Sequence, residues 1–314
     1  MPNLNTNTST QASVSPTVVT FYDKQLIANA KKKLAYNLFG QKRNIPKNNG
    51  KTINFRKFSP LPKATTPLTE GVTPDGHSLT ITEITATVKQ YGAYVATPDV
   101  LRLTAFDPVV TETNKLLGAQ AGETLDYITA LTVNGGTNRL LPGGAESVSE
   151  LTKESVISVD DIINAARILK NNYAEKIDGS YIAFVHPDVA MDIMLDPKWE
   201  YPKDYCDPKD KYNGELGKLY GVRFIETPEA YTYEKDVNGG HAKIYCTLII
   251  GANAYGVTEV EGGGLKMIAK EPTDPLNQVY TQGWKALHTA EILTNEYMVR
   301  IESVASKGLF EPAQ

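Results

Sequence analysis

"PLTEGVTPDGHSLTITEITATVKQYGAYV", residues 67 to 95, opens as a turn-rich connector and becomes a run in which threonine alternates with aliphatic residues. Upstream, "TINFRKF" (52–58) reads as a partner strand. The intervening "SPLPKATTPLTEGVTPDG" (59–76) holds prolines and glycines that forbid continuous helix or central sheet. The whole is a long β-arm with little on it to bury. Leu79 and Ile81 share one face, but Ile84, Ala86 and Val88 sit on the opposite parity, so the alternation slips near Glu83. A slip of one residue turns the apolar set to the other side, which predicts a bulge or a twist that changes what the arm touches. An isolated two-stranded ribbon is marginal in water, so the arm needs a surface to lie on. The expected surface is a neighbouring copy of the same chain. The contact candidates are Glu70, Gly71, Pro74, Asp75, His77, Ile81, Ile84 and Val88.

Around the arm, the first twenty or so residues are Asn, Thr, Ser and Pro and read as an extended segment. "DKQLIANAKKKLAYNLFG" then places Leu26, Ala30, Leu34 and Leu38 at helical steps before Gly40. After the arm, Asp107 as cap and Pro108 at the first position predict a long helix to about Asn134, with Val110, Leu117, Ala121, Leu125 and Ile128 in one stripe. Gly118 and Gly122 in its middle fit close packing on a sheet. Ser158 to Asp161 is a capping pattern for a helix striped by Ile162, Ala166, Leu169 and Tyr173. Helices and strands alternate from there to "IYCTLIIGANAYGV", an α/β pattern. The last fifty residues, "GLKMIAK", "NQVYTQGWKALHTAEI" and "NEYMVRIESVA", predict an antiparallel sheet beside the long helix.

Composition narrows the function classes. The chain has 314 residues, 41% hydrophobic and 22% charged, enough for a sizeable core in one or two domains. No window reaches the roughly 18 apolar residues of a membrane span, and no signal peptide is recognisable at the N-terminus, so a soluble protein made in the cytoplasm, with no membrane partner, is expected. Net charge is −4 and "KKK" at 31–33 is the one tight basic cluster, so the chain is not built to grip a phosphate backbone. Cys206 and Cys246, without a CxxC, point to simple thiols.

No nucleophile elbow, zinc helix or phosphate loop occurs, so no catalytic residue, cofactor or metal is expected. His77, His186, His241 and His288 share no spacing and read as surface or capping residues. "DYCDPKDKYNGELG" (204–217) carries carboxylates but misses the alternation of a calcium loop. "EGGGL" (261–265) precedes a strand-like run where a phosphate cradle wants a helix, and "NTS" (7–9) is a chance glycosylation match.

Two stretches carry a resemblance. "GELGKLYGVRFIETPEAY" (214–231) and "TLIIGANAYGV" (247–257), within this order of parts, resemble the major capsid proteins of tailed bacteriophages, with the Hong Kong ninety-seven-type fold. The resemblance implies an α+β chain: an N-terminal arm (1–50), an extended β-loop (51–97), a peripheral domain with its spine helix (98–150), an α/β axial domain (151–264) and peripheral C-terminal strands (265–314). It implies self-assembly into hexamers and pentamers of an icosahedral head, in which the loop lies over the adjacent subunit. The implied setting is the virion, reached from the host cytoplasm, with portal and packaged double-stranded DNA, the DNA contained without being read.

Only fifty residues precede the loop, so a separate scaffolding protein or none is expected. Relatives that join a loop Lys to a neighbour's Asn suggest Lys57 or Lys63 with Asn295, though nothing in the sequence selects them. Competing readings are a bacterial nanocompartment shell, a hydrolase using Asp178 or His186, and a surface-layer protein.

Overall fold

The computed structural model describes residues 34–46, 48, 50–59, 61–67, 70–71, 73, 76–104, 109–199, 217–260, 263–270, 272, 276 and 278–312. One helical turn, α1 (Tyr36–Phe39), leads into β1 (Gln41–Ile45), and the arm begins with β2 (Thr52–Phe58). The return strand read from the sequence is two strands, β3 (Ile81–Thr87) and β4 (Lys89–Pro98). β2 and β3 pair antiparallel from Thr52↔Thr87 to Phe58↔Ile81 with no step skipped. The Val88 amide donates to the Lys51 carbonyl (2.9 Å) and the Ser59 amide to the Thr80 carbonyl (3.0 Å), extending the ladder at each end. Of the bulge or twist expected near Glu83, the bulge is therefore absent. The apolar residues change sides along an unbroken ribbon, with the opposed pair Phe55 and Ile84 on one face and the opposed pair Phe58 and Ile81 on the other.

At Val88 the chain changes partners. β4, expected to be the end of the loop, leaves β2 and pairs antiparallel with a strand near the other end of the chain. A short helix the sequence did not announce, α2 (Asp99–Thr104), follows; then comes the spine, α3 (Val109–Val133), 25 residues and about 37 Å long. Its expected cap, Asp107 and Pro108, lies outside the described residues. Leu117, Ala121 and Leu125 pack on Met267, Trp284 and Ala286, and the Trp284 indole donates to Gln120 Oε1 (3.2 Å). Val110 and Ile128 of the expected stripe are only half-buried, while Gly118 and Gly122 lie on the buried side, consistent with close approach to the sheet.

The rest of the chain runs β5 (Arg139–Leu140), α4 (Val159–Asn171), β6 (Tyr181–Val185), α5 (Pro187–Leu195), β7 (Lys218–Leu219), β8 (Val222–Glu226), β9 (Thr232–Val237), β10 (Gly240–Ile250), β11 (Tyr255–Val260), β12 (Lys266–Lys270), β13 (Val279–Ile292), β14 (Met298–Ser303) and β15 (Phe310–Pro312). Among the described residues, β1, β11, β13 and β12 with β4 form a five-stranded sheet under the spine. An eight-stranded sheet runs β5-β14-β10-β6-β8-β7, with β9 and β15 on β10.

α4 starts at the expected capping box, Ser158 accepting from the Asp161 amide and the Asp161 carboxylate from the Ser158 amide. Ile162, Ala166 and Leu169 are buried, but Tyr173 is exposed at φ 56, beyond the helix end, because the stripe's periodicity outlasts the helix. A larger correction concerns "NEYMVRIESVA". It does not join the sheet beside the spine but lies between β10 and β5 in the larger sheet. Met298, Val299, Ile301, Ser303 and Val304 are buried, and burial on both faces of a strand requires a central place. Arg300 neutralises the buried Glu302 at 2.7 Å.

The two sheets and the spine meet around α1. Tyr36 stacks on Phe184 of β6 at 4.0 Å, and the Tyr255 hydroxyl donates to the Tyr36 carbonyl. Asp126 of the spine, fully buried, accepts with one oxygen from the amides of Ala35 and Asn37, both at 3.0 Å, and so caps the turn; its other oxygen has no partner among the described residues. Thr129 donates to Asn37 Oδ1 (2.6 Å) and lies 2.9 Å from His288 Nε2. The His288 Nδ1 is buried and has no hydrogen-bond partner among the described residues. His288 is thus a core residue and not the surface or capping histidine expected.

Burial pushes the Asp126 carboxyl from an ordinary 3.8 up to about 6, against the amides that hold it down. Burial likewise pushes His288 from 6.5 down to about 4. The first shift makes folding more favourable as pH falls from about 6 to 4; the second makes it less favourable from about 6.5 to 4. They oppose each other, so removing one exposes the other. Thermal melting between pH 7 and 4 should show Asp126→Asn losing stability on acidification more steeply than wild type, and His288→Gln gaining relative to it. Parallel slopes in all three proteins would contradict this assignment.

Candidate functional site on the arm and the sheet

The sheet-facing side of the arm is seated on the five-stranded sheet through one aromatic residue. Phe55 is buried and lies over Gly256 of β11, where a Cβ would come within 2.7 Å of the ring. Arg43 of β1 stands 5.3 Å from the centre of the same ring. Ile84 is half-buried beside it, and Ala86 and Val88 are buried further toward the root. Lys57 adds an exposed ion pair with Glu296 (3.6 Å), which contributes little in water.

The opposite side has no such seat. Phe58 is 59% exposed and Ile81 49% exposed; Leu79 (65%) continues the apolar set toward the tip, and Leu61 (54%), beyond the strand, is exposed as well. Of the contact candidates, Glu70, Gly71 and His77 are exposed at the tip, and Pro74 and Asp75 lie outside the described residues. Ile81 is on the open side, Ile84 on the seated side, and Val88 is already covered within its own chain. Phe58, Leu61 and Leu79 are missing from the candidates. The odd three-residue step from Phe55 to Phe58 was the available signal for the first of them, since in a strand it puts two aromatics on opposite faces.

The spine presents a second apolar side. Leu116 (71%), Tyr127 and Leu131 are exposed on the face turned away from the sheet, spaced as one helical stripe.

The chemistry-bearing residues do not converge. Among the described residues no group of three His, Cys, Asp or Glu could hold a metal ion. His186 is the N-cap of α5, its Nδ1 accepting from the Asp188 amide (3.2 Å), and burial lowers its pKa. Asp178 occupies a tight turn at φ 48, followed by Gly179 at φ 79, between Ile177 and Ser180. His241 is exposed, and its Nδ1 lies 2.7 Å from Asp236, which raises its pKa. Cys246 is buried, its thiol pushed up to about 12, and so inert. Asn295 Oδ1 accepts from the Thr137 amide (2.9 Å) and its Nδ2 donates to Thr137 Oγ1 (2.6 Å); within one chain its amide is engaged away from Lys57. The carboxylate loop at 204–216 lies outside the described residues, and "EGGGL" leads into a strand, β12, as expected. No described helix is long and apolar enough to cross a membrane.

Similarity to known proteins gives this arrangement a context. No curated protein matches the chain. Among solved structures, the chain is similar to the capsid structure of cyanophage P-SCSP1u (15% identity, 87% of this chain and 89% of that one, TM-score 0.66). It is similar also to the capsid of Ralstonia phage GP4 (15% identity, 86% and 88%, TM-score 0.65). A virus-like particle from Pyrococcus furiosus shows the fold at 10% identity over 90% and 99% of the two chains, with a TM-score of 0.55. At these identities the likeness is one of fold, a mixed α+β capsid fold with few helices and many strands. The family described as phage capsid protein matches residues 10–291, nearly the whole sequence, and it is to this family that the chain belongs.

Proposed function

We propose that this capsid protein works by geometry alone: copies assemble head to tail into hexameric and pentameric rings that close an icosahedral phage head around double-stranded DNA. The single observation that carries this reading is the arm whose distal apolar face, Phe58, Leu79 and Ile81, is open to water while its proximal face is buried. Each such side chain gains about 1.5–3 kcal/mol on full burial, and the two-stranded ribbon offers them nothing of its own. A contact between one copy's arm and a different surface of the next copy is heterologous, and heterologous contacts close into rings. The spine's stripe at Leu116, Tyr127 and Leu131 supplies a further surface of the kind a shell subunit needs. Many individually weak contacts then hold together through multivalency.

The net charge of −4 and scattered basic residues support containment of DNA without sequence reading. Copies of the chain are the principal partners, with portal and a separate scaffolding protein as accessory ones; assembly takes place in the host cytoplasm and the product is the virion. In this reading the protein is not an enzyme. The nanocompartment reading differs in cargo, not in the arm.

Negative-stain electron microscopy of the purified protein tests the proposal. Wild type should form rings or closed shells, and a variant with residues 60–79 replaced by a short Gly-Ser turn should remain a folded monomer with unchanged melting. Wild-type monomers at every concentration tried, or shells formed equally well without the arm, would overturn it.

A further inference from the structure

Three lysines and a tyrosine meet on the face of the five-stranded sheet turned away from the spine. Trp284, Met267 and Ala93 pack against the spine, so their neighbours along β13, β12 and β4 point the other way. Across the middle of that outer face runs the row Tyr94, Gly283, Ile268. A Cβ at Gly283 would stand 2.6 Å from the Ala93 carbonyl oxygen, and one at Gly92 would stand 2.6 Å from the Trp284 carbonyl oxygen. The close approach of β4 and β13 therefore keeps both positions bare, and the result is a groove of about 470 Å³. Strand spacing puts Tyr94 and Ile268 about 10 Å apart on either side of Gly283, room for one flat ring to stand on the glycine. Tyr94 is 75% exposed, so its ring is an uncovered wall.

Lysines close the groove at both ends. On one side of the Gly283 row, Lys285 and Lys266 are directly opposed in the β13–β12 ladder. Like charges so placed repel each other and cost stability. On the other side of the row Lys270 is opposed to Thr281, and both line the groove. All three lysines are exposed, and none forms an ion pair with a described residue. Between Lys285 and Thr281, and across to β4 and β12, this face holds no carboxylate. Lys266 and Lys270 are four residues apart on β12, about 13 Å, so their long side chains can lean over the groove from its two ends.

We propose that this groove binds one nucleotide unit of a single-stranded nucleic acid. The base stands on Gly283 against the Tyr94 ring; the phosphate on one side meets the Lys266–Lys285 pair, and the phosphate on the other meets Lys270 and the Thr281 hydroxyl. An anion between Lys266 and Lys285 turns their repulsion into attraction, which accounts for a pairing that only costs stability in the free chain. The aromatic wall favours a nucleotide over an acidic peptide, because carboxylates satisfy the lysines but leave Tyr94 with nothing to stack on. Every base has a π-face and lysine contacts phosphate as a point charge, so the site holds a strand without reading its sequence. The net charge of −4 argues against a long basic track, and this site does not need one: the sheet alone brings residues 266, 270 and 285 together. Every part of it lies within one chain, so it does not depend on the assembly reading above.

Fluorescence anisotropy of a short labelled oligo(dT), titrated with the purified full chain, tests this. Wild type should bind the single strand, and should bind a duplex of the same length several-fold more weakly, because paired bases cannot enter the groove. The logarithm of its affinity should fall with the logarithm of salt concentration at a slope of about −1.4, the value for two phosphates. Tyr94→Ala should weaken binding about tenfold and Tyr94→Trp should restore it. Lys266→Gln/Lys285→Gln should weaken binding and reduce the slope by about 0.7, while melting no lower than wild type, since it removes a repulsion. Absence of binding by wild type, or undiminished binding by Tyr94→Ala, would overturn the assignment. So would a polyglutamate peptide that binds as tightly and is indifferent to Tyr94→Ala, which would make the groove a seat for an acidic protein segment. None of these outcomes bears on whether the chain builds a shell.

Discussion

A two-stranded ribbon has two faces, and in this protein only one of them has anything to rest on. Phe55 pressed over Gly256 ties the ribbon to the body of the molecule, and three residues further the same strand turns Phe58 to water. The constraint is elementary: alternate side chains of a strand point to opposite sides, so a ribbon with apolar residues on both faces must be sandwiched or left incomplete. Here the near half is completed within the chain. The far half is left over. The unusually polar, threonine-rich texture of the arm follows, because a strand that is solvated before it finds its partner must not aggregate through a long apolar edge.

The body beneath the arm is organised to hold that geometry still. The spine lies on the five-stranded sheet through Leu117, Ala121 and Leu125, and the larger sheet is locked to both at the α1 turn. That lock is polar at its centre. Asp126 caps the turn from the side of the spine, Thr129 ties Asn37 to His288, and Tyr36 fills the space against Phe184. Buried polar groups of this kind contribute little net stability but fix one arrangement, since any other costs them the hydrogen bonds they do make. A subunit that must present several surfaces at set angles benefits from such a joint more than from a purely greasy one.

Much of this was legible in the sequence wherever the signal was local. The Ser158–Asp161 box, His186 ahead of Pro187 and the arm itself are written in caps, turns and prolines. The side change of the arm was also visible as a break in parity, but it left a bulge and a twist equally open, because parity reports which face a residue takes and not what covers that face. Non-local placement was hidden. "NEYMVRIESVA" reads as one more strand after its neighbours, and only burial on both faces shows that it belongs in the middle of the other sheet. Asp126 looks like a solvated helix residue until α1 is brought to it, and His288 looks like any strand histidine until the spine lies over it. Tyr173 continues a helical stripe past the point where the helix stops.

The account rests on the far half of the arm being unfinished in one molecule and finished by another, and amide hydrogen exchange on dissociated and assembled protein measures that directly. Backbone amides from Phe58 to Ile81 should exchange rapidly in the monomer and become strongly protected in the particle, while those of β6 and β10 are protected in both. Full protection of that segment in a monomer that shows no tendency to associate would contradict the account.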